Sequence, residues 1–225
     1  MNVMPTAKKT ASTRTADQRL EAQLNRLERQ NASLRREIER LQVYRAMAYR
    51  DPLTGLWNRR YFDERVKEEF SRSRRAGADR RFSVMVIDVN GFKETNDQHG
   101  HHAGDSVLRW VAEFLVAQLR SHDVPCRTGG DEFMVLLPDL SAADSVPVVA
   151  RLRDKLAAAN REREIPVSLS IGCASWPEKS ESCEQILETA DAAMYADKRR
   201  QKGAEGKAPR AALPRTTRTR LVRAS

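Results

Sequence analysis

Between residues 17 and 50 the apolar positions fall at Leu20, Leu24, Leu27, Leu34, Ile38, Leu41 and Ala48, with Asn31 and Arg45 filling the missing places of an alternating four–three spacing. No Gly or Pro interrupts the stretch, so the pattern predicts one continuous helix carrying a heptad seam. With Leu24 and Ile38 at position a, Leu20, Leu27, Leu34 and Leu41 fall at d and Asn31 falls at a. A single Asn at a favours a parallel, in-register pair, because only there do the two amides meet across the seam. The competing reading is an amphipathic helix packed on its own domain. The stripe is narrow, however, and Arg26, Arg29, Arg35, Arg36 and Arg40 flank it, which leaves little apolar face for such packing. The expectation is a parallel coiled-coil homodimer over residues 17–50.

The helix should break at Asp51-Pro52, since the residue before proline avoids helical angles. Beyond it the pattern predicts a helix from near Asn58 to Arg75 and a buried strand over Phe82–Asp88. A loop from Asn90 to Gly100 leads to an amphipathic helix, about His102 to Ser121, and a short strand at Val124–Arg127. The turn Gly129-Gly130 then enters a strand at Glu132–Leu137. A helix (Ala142–Asn160), a strand (Val167–Ser175) and a last helix (Cys183–Arg200) follow. Strands alternating with helices around a central hairpin give an α/β (α+β) sheet with helices packed on it.

Composition refines this picture. The chain has 225 residues, 40% of them hydrophobic and 32% charged, enough for one domain with appendages. No run approaches the roughly 18 apolar residues of a membrane span, and the start lacks the apolar stretch of a secretion signal. Cys126, Cys173 and Cys183 stand at no metal-ligand spacing, which suits reduced thiols in a cytoplasmic setting. Of the net charge of +9, residues 1–16 carry +3 and residues 204–225 carry +5, leaving +1 for everything that looks folded. The basic character thus belongs to two tails, 1–16 and 203–225, read as disordered and solvated. It gives no case for a specific nucleic-acid partner or for a membrane.

Two acidic strand ends carry the candidate chemistry. Asp88 closes the first apolar strand, and Asp131 and Glu132 follow Gly129-Gly130 at the entrance to another. If the strands are neighbours, these carboxylates converge at one rim, where a divalent cation would relieve their repulsion. Oxygen-only donors suit Mg²⁺ or Mn²⁺ held together with substrate phosphates, and glycines let the backbone approach a phosphate closely. An ordinary hairpin turn would show the same Gly-Gly-Asp, so spacing alone leaves both readings open.

The surrounding motifs decide between them. Arg127, then Gly129-Gly130-Asp131-Glu132-Phe133, is the signature of the GGDEF family of diguanylate cyclases. Asp51-Pro-Leu-Thr-Gly-Leu-Trp-Asn-Arg-Arg60 resembles the family's entry motif. Asp88-Val-Asn-Gly-Phe-Lys93, Asn96-Asp97, Gly100-His101 and Gly104-Asp105 are similar to its nucleotide loop. Ser168-Leu-Ser-Ile-Gly172 resembles its late strand, and Ala190-Asp-Ala-Ala-Met-Tyr-Ala-Asp-Lys198 its last helix. The blocks stand in family order over residues 51–202.

The resemblance implies a polymerase-palm-like, nucleotidyl-cyclase-like domain with a central, mostly antiparallel sheet flanked by helices. It implies a dimeric enzyme that condenses two GTP into cyclic di-GMP and releases two pyrophosphates. Carried over by residue, Asp88, the carbonyl of Val89, Asp131 and Glu132 would hold two Mg²⁺ or Mn²⁺ per site, with Asp131 serving as, or helping to form, the base for the ribose 3′-OH. Asn96 and Asp105 match the guanine readers; a carboxylate accepts from both N1–H and N2–H₂ of guanine, which adenine cannot offer. Lys93, Lys198 and Lys202 would neutralise the triphosphate beside Gly129 and Gly130. Arg120-Ser-His-Asp123 stands at the register of the family's RxxD inhibitory site, implying product inhibition through Arg120 and Asp123, with Arg151 a further arginine.

Each residue also has a plainer reading. Lys198 and Lys202 sit where cations complement a helix end, Asn96-Asp97 could cap a loop, and Arg120–Asp123 could be a surface ion pair. Two departures are visible: Asn90 stands where the family's Asp-x-Asp has its second acid, and Arg199-Arg-Gln-Lys202-Gly replaces the frequent Gly-Arg-Asn. The expectation is an active, cytoplasmic, product-inhibited diguanylate cyclase. The alternative is a catalytically silent module that binds GTP or cyclic di-GMP.

Overall fold

The computed structural model describes residues 7–76, 80–177 and 182–205. The chain divides into two units, residues 1–50 and 51–225. The first is a helix, α1 (Ala7–Tyr49), of 43 residues. It starts ten residues before the predicted position 17, so residues 7–16, read as tail, are helical; residues 1–6 lie outside the described residues. Leu24, Leu27, Leu34, Ile38 and Leu41 of the seam are each more than half exposed.

The second unit runs in the order β1 (Trp57–Asn58), α2 (Arg59–Ala76), β2 (Phe82–Asn90), α3 (Phe92–His99), α4 (His101–Gln118), β3 (Val124–Arg127), β4 (Glu132–Pro138), α5 (Ala142–Ala159), β5 (Ser168–Trp176) and α6 (Cys183–Glu205). The strands form one sheet in the order β1-β3-β4-β2-β5. β1 is parallel to β3, and every other pairing is antiparallel. This is the mostly antiparallel, helix-flanked sheet expected from the sequence.

β2 lies inside the sheet, between β4 and β5, and both of its faces are buried. Met85, Ile87 and Val89 join the core under α4 and α5, with Val111, Leu115 and Leu152. Phe82, Val84 and Val86 alternate to the other face and pack with Phe62 and Val66 of α2 and Ile186, Ala190 and Met194 of α6. A strand that serves two cores reads as a continuous apolar run rather than an alternation. Phe62, Phe82 and Phe133 are completely buried, each worth about 1.5–3 kcal/mol. α6 approaches β5 where Gly172 leaves room; a Cβ there would collide with the Met194 nitrogen and the Ala190 carbonyl.

Two local expectations need correction. The predicted loop Asn90–Gly100 contains α3, a two-turn helix bounded by Gly91 (φ +67°) and Gly100 (φ +81°). These left-handed positions suit glycine, and the helix buries none of its residues, so no apolar face announced it. The last helix runs to Glu205 rather than Arg200, and of the C-terminal tail residues 206–225 lie outside the described residues. No described helix is long and apolar enough to cross a membrane.

Candidate active site

The antiparallel pairing of β2 with β4 sets Asp88 opposite Glu132, and the main-chain N–H of Val89 donates to the Asp131 carbonyl at 3.1 Å. The two acidic strand ends therefore share one rim of the sheet. Beside it opens a cleft of about 500 Å³, whose lining includes Val89, Lys93, Asp131, Lys198, Gln201 and Lys202. Lys198 Nζ donates to Asp88 Oδ1 at 2.6 Å, the lysine side chain being 27% and the aspartate 10% exposed. One acid of the rim is thus already neutralised by a cation from α6.

The turn between β3 and β4 is held from behind. Arg127 donates to the Gly130 carbonyl through Nη2 at 2.8 Å and through Nε at 3.3 Å. Its Nη1 reaches Asp51 Oδ1 at 3.1 Å. Asp51 also accepts from the Thr54 N–H (2.9 Å) and hydroxyl (2.6 Å). Burial alone would raise the Asp51 carboxyl, but the bonds from Thr54 and Arg127 outweigh it and hold it below its ordinary value. The entry motif and the Gly-Gly-Asp turn are therefore one construction. Gly129 has a steric reason of its own, since a Cβ would lie 2.7 Å from Glu132 Oε2. At Gly130 a Cβ would meet nothing within 4 Å, which leaves that side of the turn open.

Asn96 and Asp105 sit away from the cleft lining, on α3 and α4. Asn96 Oδ1 is buried without a hydrogen-bond partner, and a Cβ on Gly104 would collide with it. A bare acceptor tucked against a glycine is a place for a donor to arrive.

In the Arg120-Ser-His-Asp123 segment, the Arg120 main-chain N–H, not its guanidinium, donates to Asp123 Oδ2 at 2.8 Å. Arg151 donates to the Gln118 carbonyl at 3.0 Å, close enough for its charge, like those of His122 and Arg120, to act on Asp123. Burial dominates nonetheless and pushes the Asp123 carboxyl up.

Sequence reasoning missed Gln201. It lies one turn beyond Asp197 on α6 and bonds to Asn90 and Ser168 across the cleft floor, both at 3.0 Å. Its only signal was that it stands in the segment that departs from the family pattern.

The donor chemistry at the rim fits a hard divalent cation: carboxylates of Asp88, Asp131 and Glu132 and the Val89 carbonyl, all oxygens. Among the described residues no three His, Cys, Asp or Glu side chains close into a protein-only cage.

Residues 48–204 match the family model described as "Diguanylate cyclase, GGDEF domain". The chain is 36% identical over 181 residues to the bifunctional diguanylate cyclase/cyclic di-GMP phosphodiesterase MucR of Pseudomonas aeruginosa, covering 80% of this chain and 25% of that protein. It is 40% identical over 155 residues to the diguanylate cyclase DosC of Escherichia coli, covering 67% of this chain and 33% of that protein. The chain thus spans about a quarter to a third of the length of these curated relatives. Among solved structures, the coiled coil and GGDEF domain of DgcB from Caulobacter crescentus in complex with c-di-GMP superposes with a TM-score of 0.69 at 30% identity, covering 80% of this chain and 94% of that one. The diguanylate cyclase SiaD of Pseudomonas aeruginosa, in complex with its activator SiaC, gives 0.67 at 33% identity, covering 86% and 76%. On the match across residues 48–204, the chain belongs to the family of diguanylate cyclase GGDEF domains.

Proposed function

We propose that the chain condenses two GTP into cyclic di-GMP, releasing two pyrophosphates. The observation that carries this reading is the cleft lined by Asp131 together with Lys93, Lys198 and Lys202, beside an Asp88 already bonded to Lys198. Carboxylates and cations on one wall match a substrate that brings phosphates and gives up a hydroxyl proton. Asp131 accepts the proton of the ribose 3′-OH, and Lys93, Lys198 and Lys202 hold the triphosphate beside Gly129 and Gly130. Asp88, the Val89 carbonyl, Asp131 and Glu132 would hold two Mg²⁺ or Mn²⁺. Bound there, the cations supply charge neutralisation at the α-phosphate and the departing pyrophosphate. Asn96 and Asp105 read guanine, the unpartnered Asn96 Oδ1 being an acceptor for a base N–H.

One such domain holds one GTP, so two must face each other. The exposed heptad seam of α1 supports a parallel homodimer through residues 17–50, which raises the effective concentration of one domain for the other. Arg120, Asp123 and Arg151 form the site at which cyclic di-GMP inhibits. The setting is cytoplasmic, where GTP is found.

The test is incubation of the purified chain with GTP and Mg²⁺, assaying pyrophosphate and cyclic di-GMP beside Asp131→Ala. Product from the unmodified chain alone supports the reading. Its absence, after bound cyclic di-GMP has been stripped, would assign a binding module instead. Deleting residues 1–48 should make turnover steeply dependent on enzyme concentration; unchanged specific activity in dilute solution would refute the dimer.

A further inference from the structure

Gln201, Asn90 and Ser168, far apart in sequence, meet in the lining of the cleft with every side-chain donor hydrogen used. Gln201 Nε2 donates to the Leu169 carbonyl at 3.0 Å and to Asp197 Oδ2 at 2.9 Å. Gln201 Oε1 accepts from Asn90 Nδ2 at 3.0 Å and from the Ser168 hydroxyl at 3.0 Å. Asn90 Nδ2 donates a second time, to Ser168 Oγ at 2.9 Å, and Asn90 Oδ1 accepts from Ser170 Oγ at 2.8 Å.

The direction of these bonds follows from chemistry. A main-chain carbonyl and a carboxylate only accept, so the NH₂ group of Gln201 must face them and its oxygen must face residue 90. Residue 90 therefore has to present a donor. Asp197 is the origin of this order. It is 3% exposed and is held by the Ile171 N–H at 2.9 Å and by Arg153 at 2.7 Å. Burial would raise its carboxyl, but those bonds and Gln201 hold it below its ordinary value, which keeps it an acceptor.

We propose that Asp197, acting through Gln201, requires an amide at position 90, and that this relay positions the cationic face of α6, with Lys198 and Lys202, over the end of β2. Gln201 and Asn90 are positioning residues: they act on the substrate through the lysines. The inference rests on the reading of the cleft as the GTP site. A carboxylate at position 90 keeps the Ser170 bond, loses both donations, and faces the Gln201 oxygen. The amide cannot turn over to meet it, because its oxygen would then face Asp197 and the Leu169 carbonyl.

The experiment is a double-mutant cycle on the full chain, with Asn90→Asp, Gln201→Ala and the pair, read by thermal midpoint without nucleotide and by kcat and KM for GTP with Mg²⁺. Asn90→Asp alone should lower the midpoint and raise KM about tenfold, the scale of a buried group left unsatisfied, with kcat changed less than KM. In the Gln201→Ala background, where water can enter, the same change should cost less than threefold in KM. Asn90→Asp placed in an Asp197→Ala chain should also be milder, because Gln201 is free to rotate. Should that chain fail to fold, the Gln201→Ala cycle still decides. Equal cost in both backgrounds, or no cost in either, overturns the relay. Coupling in the midpoint without coupling in KM leaves a purely structural network and overturns the positioning role. A chain that makes no product removes the cyclase reading, while the midpoint cycle still tests the relay by itself.

Discussion

Arg127 and Asp51 are joined by a guanidinium–carboxylate pair at 3.1 Å with side chains only 13% and 17% exposed, and the same guanidinium holds the Gly130 carbonyl. The pair links the first residue of the second unit to the turn that carries Asp131. Arg127→Ala strips Asp51 of its counter-charge and frees the turn. It should cost about 1–3 kcal/mol by urea unfolding and lower turnover as Asp131 loses its fixed position. Arg127→Lys should recover charge but not the fork, and so only part of both losses.

The acid side of the stability profile follows from opposed carboxyls. Asp51 and Asp197 lie below their ordinary values, so the folded chain binds their protons less tightly than the unfolded one. Their contribution is complete above the unfolded value of about 4 and is lost as pH falls through the folded values. Asp123 is raised, so it acts in the other direction: stability is gained as pH falls from its folded value toward the unfolded one. Urea midpoints between pH 3 and 7 should show a shallower acid decline in Asp197→Asn, and a steeper one in Asp123→Asn, than in the unmodified chain.

Gly172→Ala should be among the most damaging single changes to the second unit. The added methyl meets main-chain atoms of α6, the Met194 nitrogen and the Ala190 carbonyl, which cannot swing aside as a side chain does. A loss of about 3 kcal/mol is expected, measurable as a fall in denaturation midpoint. An unchanged midpoint would mean that α6 does not pack this closely.

Gly104→Ala should separate stability from recognition. The new Cβ displaces the far end of the Asn96 side chain, which can rotate away, and alanine gains up to about 1 kcal/mol as a helix residue. Stability should change by less than about 1 kcal/mol. Affinity for a non-hydrolysable GTP analogue should fall about tenfold by calorimetry, because the acceptor is displaced.

What could be read from the sequence depended on how far a signal extends along it. The Phe82–Asp88 strand was legible because burial on two faces leaves an apolar run broken only by Ser83 before its closing acid, and the α1 seam because the heptad spacing is kept from Leu20 to Ala48 in polar surroundings. α3 was not, since Asn90, Gly91, Asn96, Asp97 and Gly100 are turn-formers by composition and the helix has no buried face. The start of α1 was missed for the opposite reason: residues 7–16 carry no seam to extend. Within the site, individual acids and lysines were legible through their motifs. The contacts of Gln201 with Asn90 and Ser168 were not, because 111 and 33 residues separate the partners, and it takes the β2–β5 pairing together with the packing of α6 on those strands to bring them together.

The close approach of α6 to β5 at Gly172 also bears on how the cleft can respond to what enters it. Met194, whose nitrogen a Cβ on Gly172 would strike, stands one helical turn before Lys198. The height of that helix above the sheet is therefore set by backbone against backbone, with no compressible side chain between. A lower position of α6, with Lys198 and Lys202 nearer to the sheet, is therefore blocked by main-chain contact. Adaptation falls to the four-carbon stems of Lys198 and Lys202, and the cost of ordering them is one of rotamer entropy. The wall is rigid in its scaffold and soft only at its charged tips.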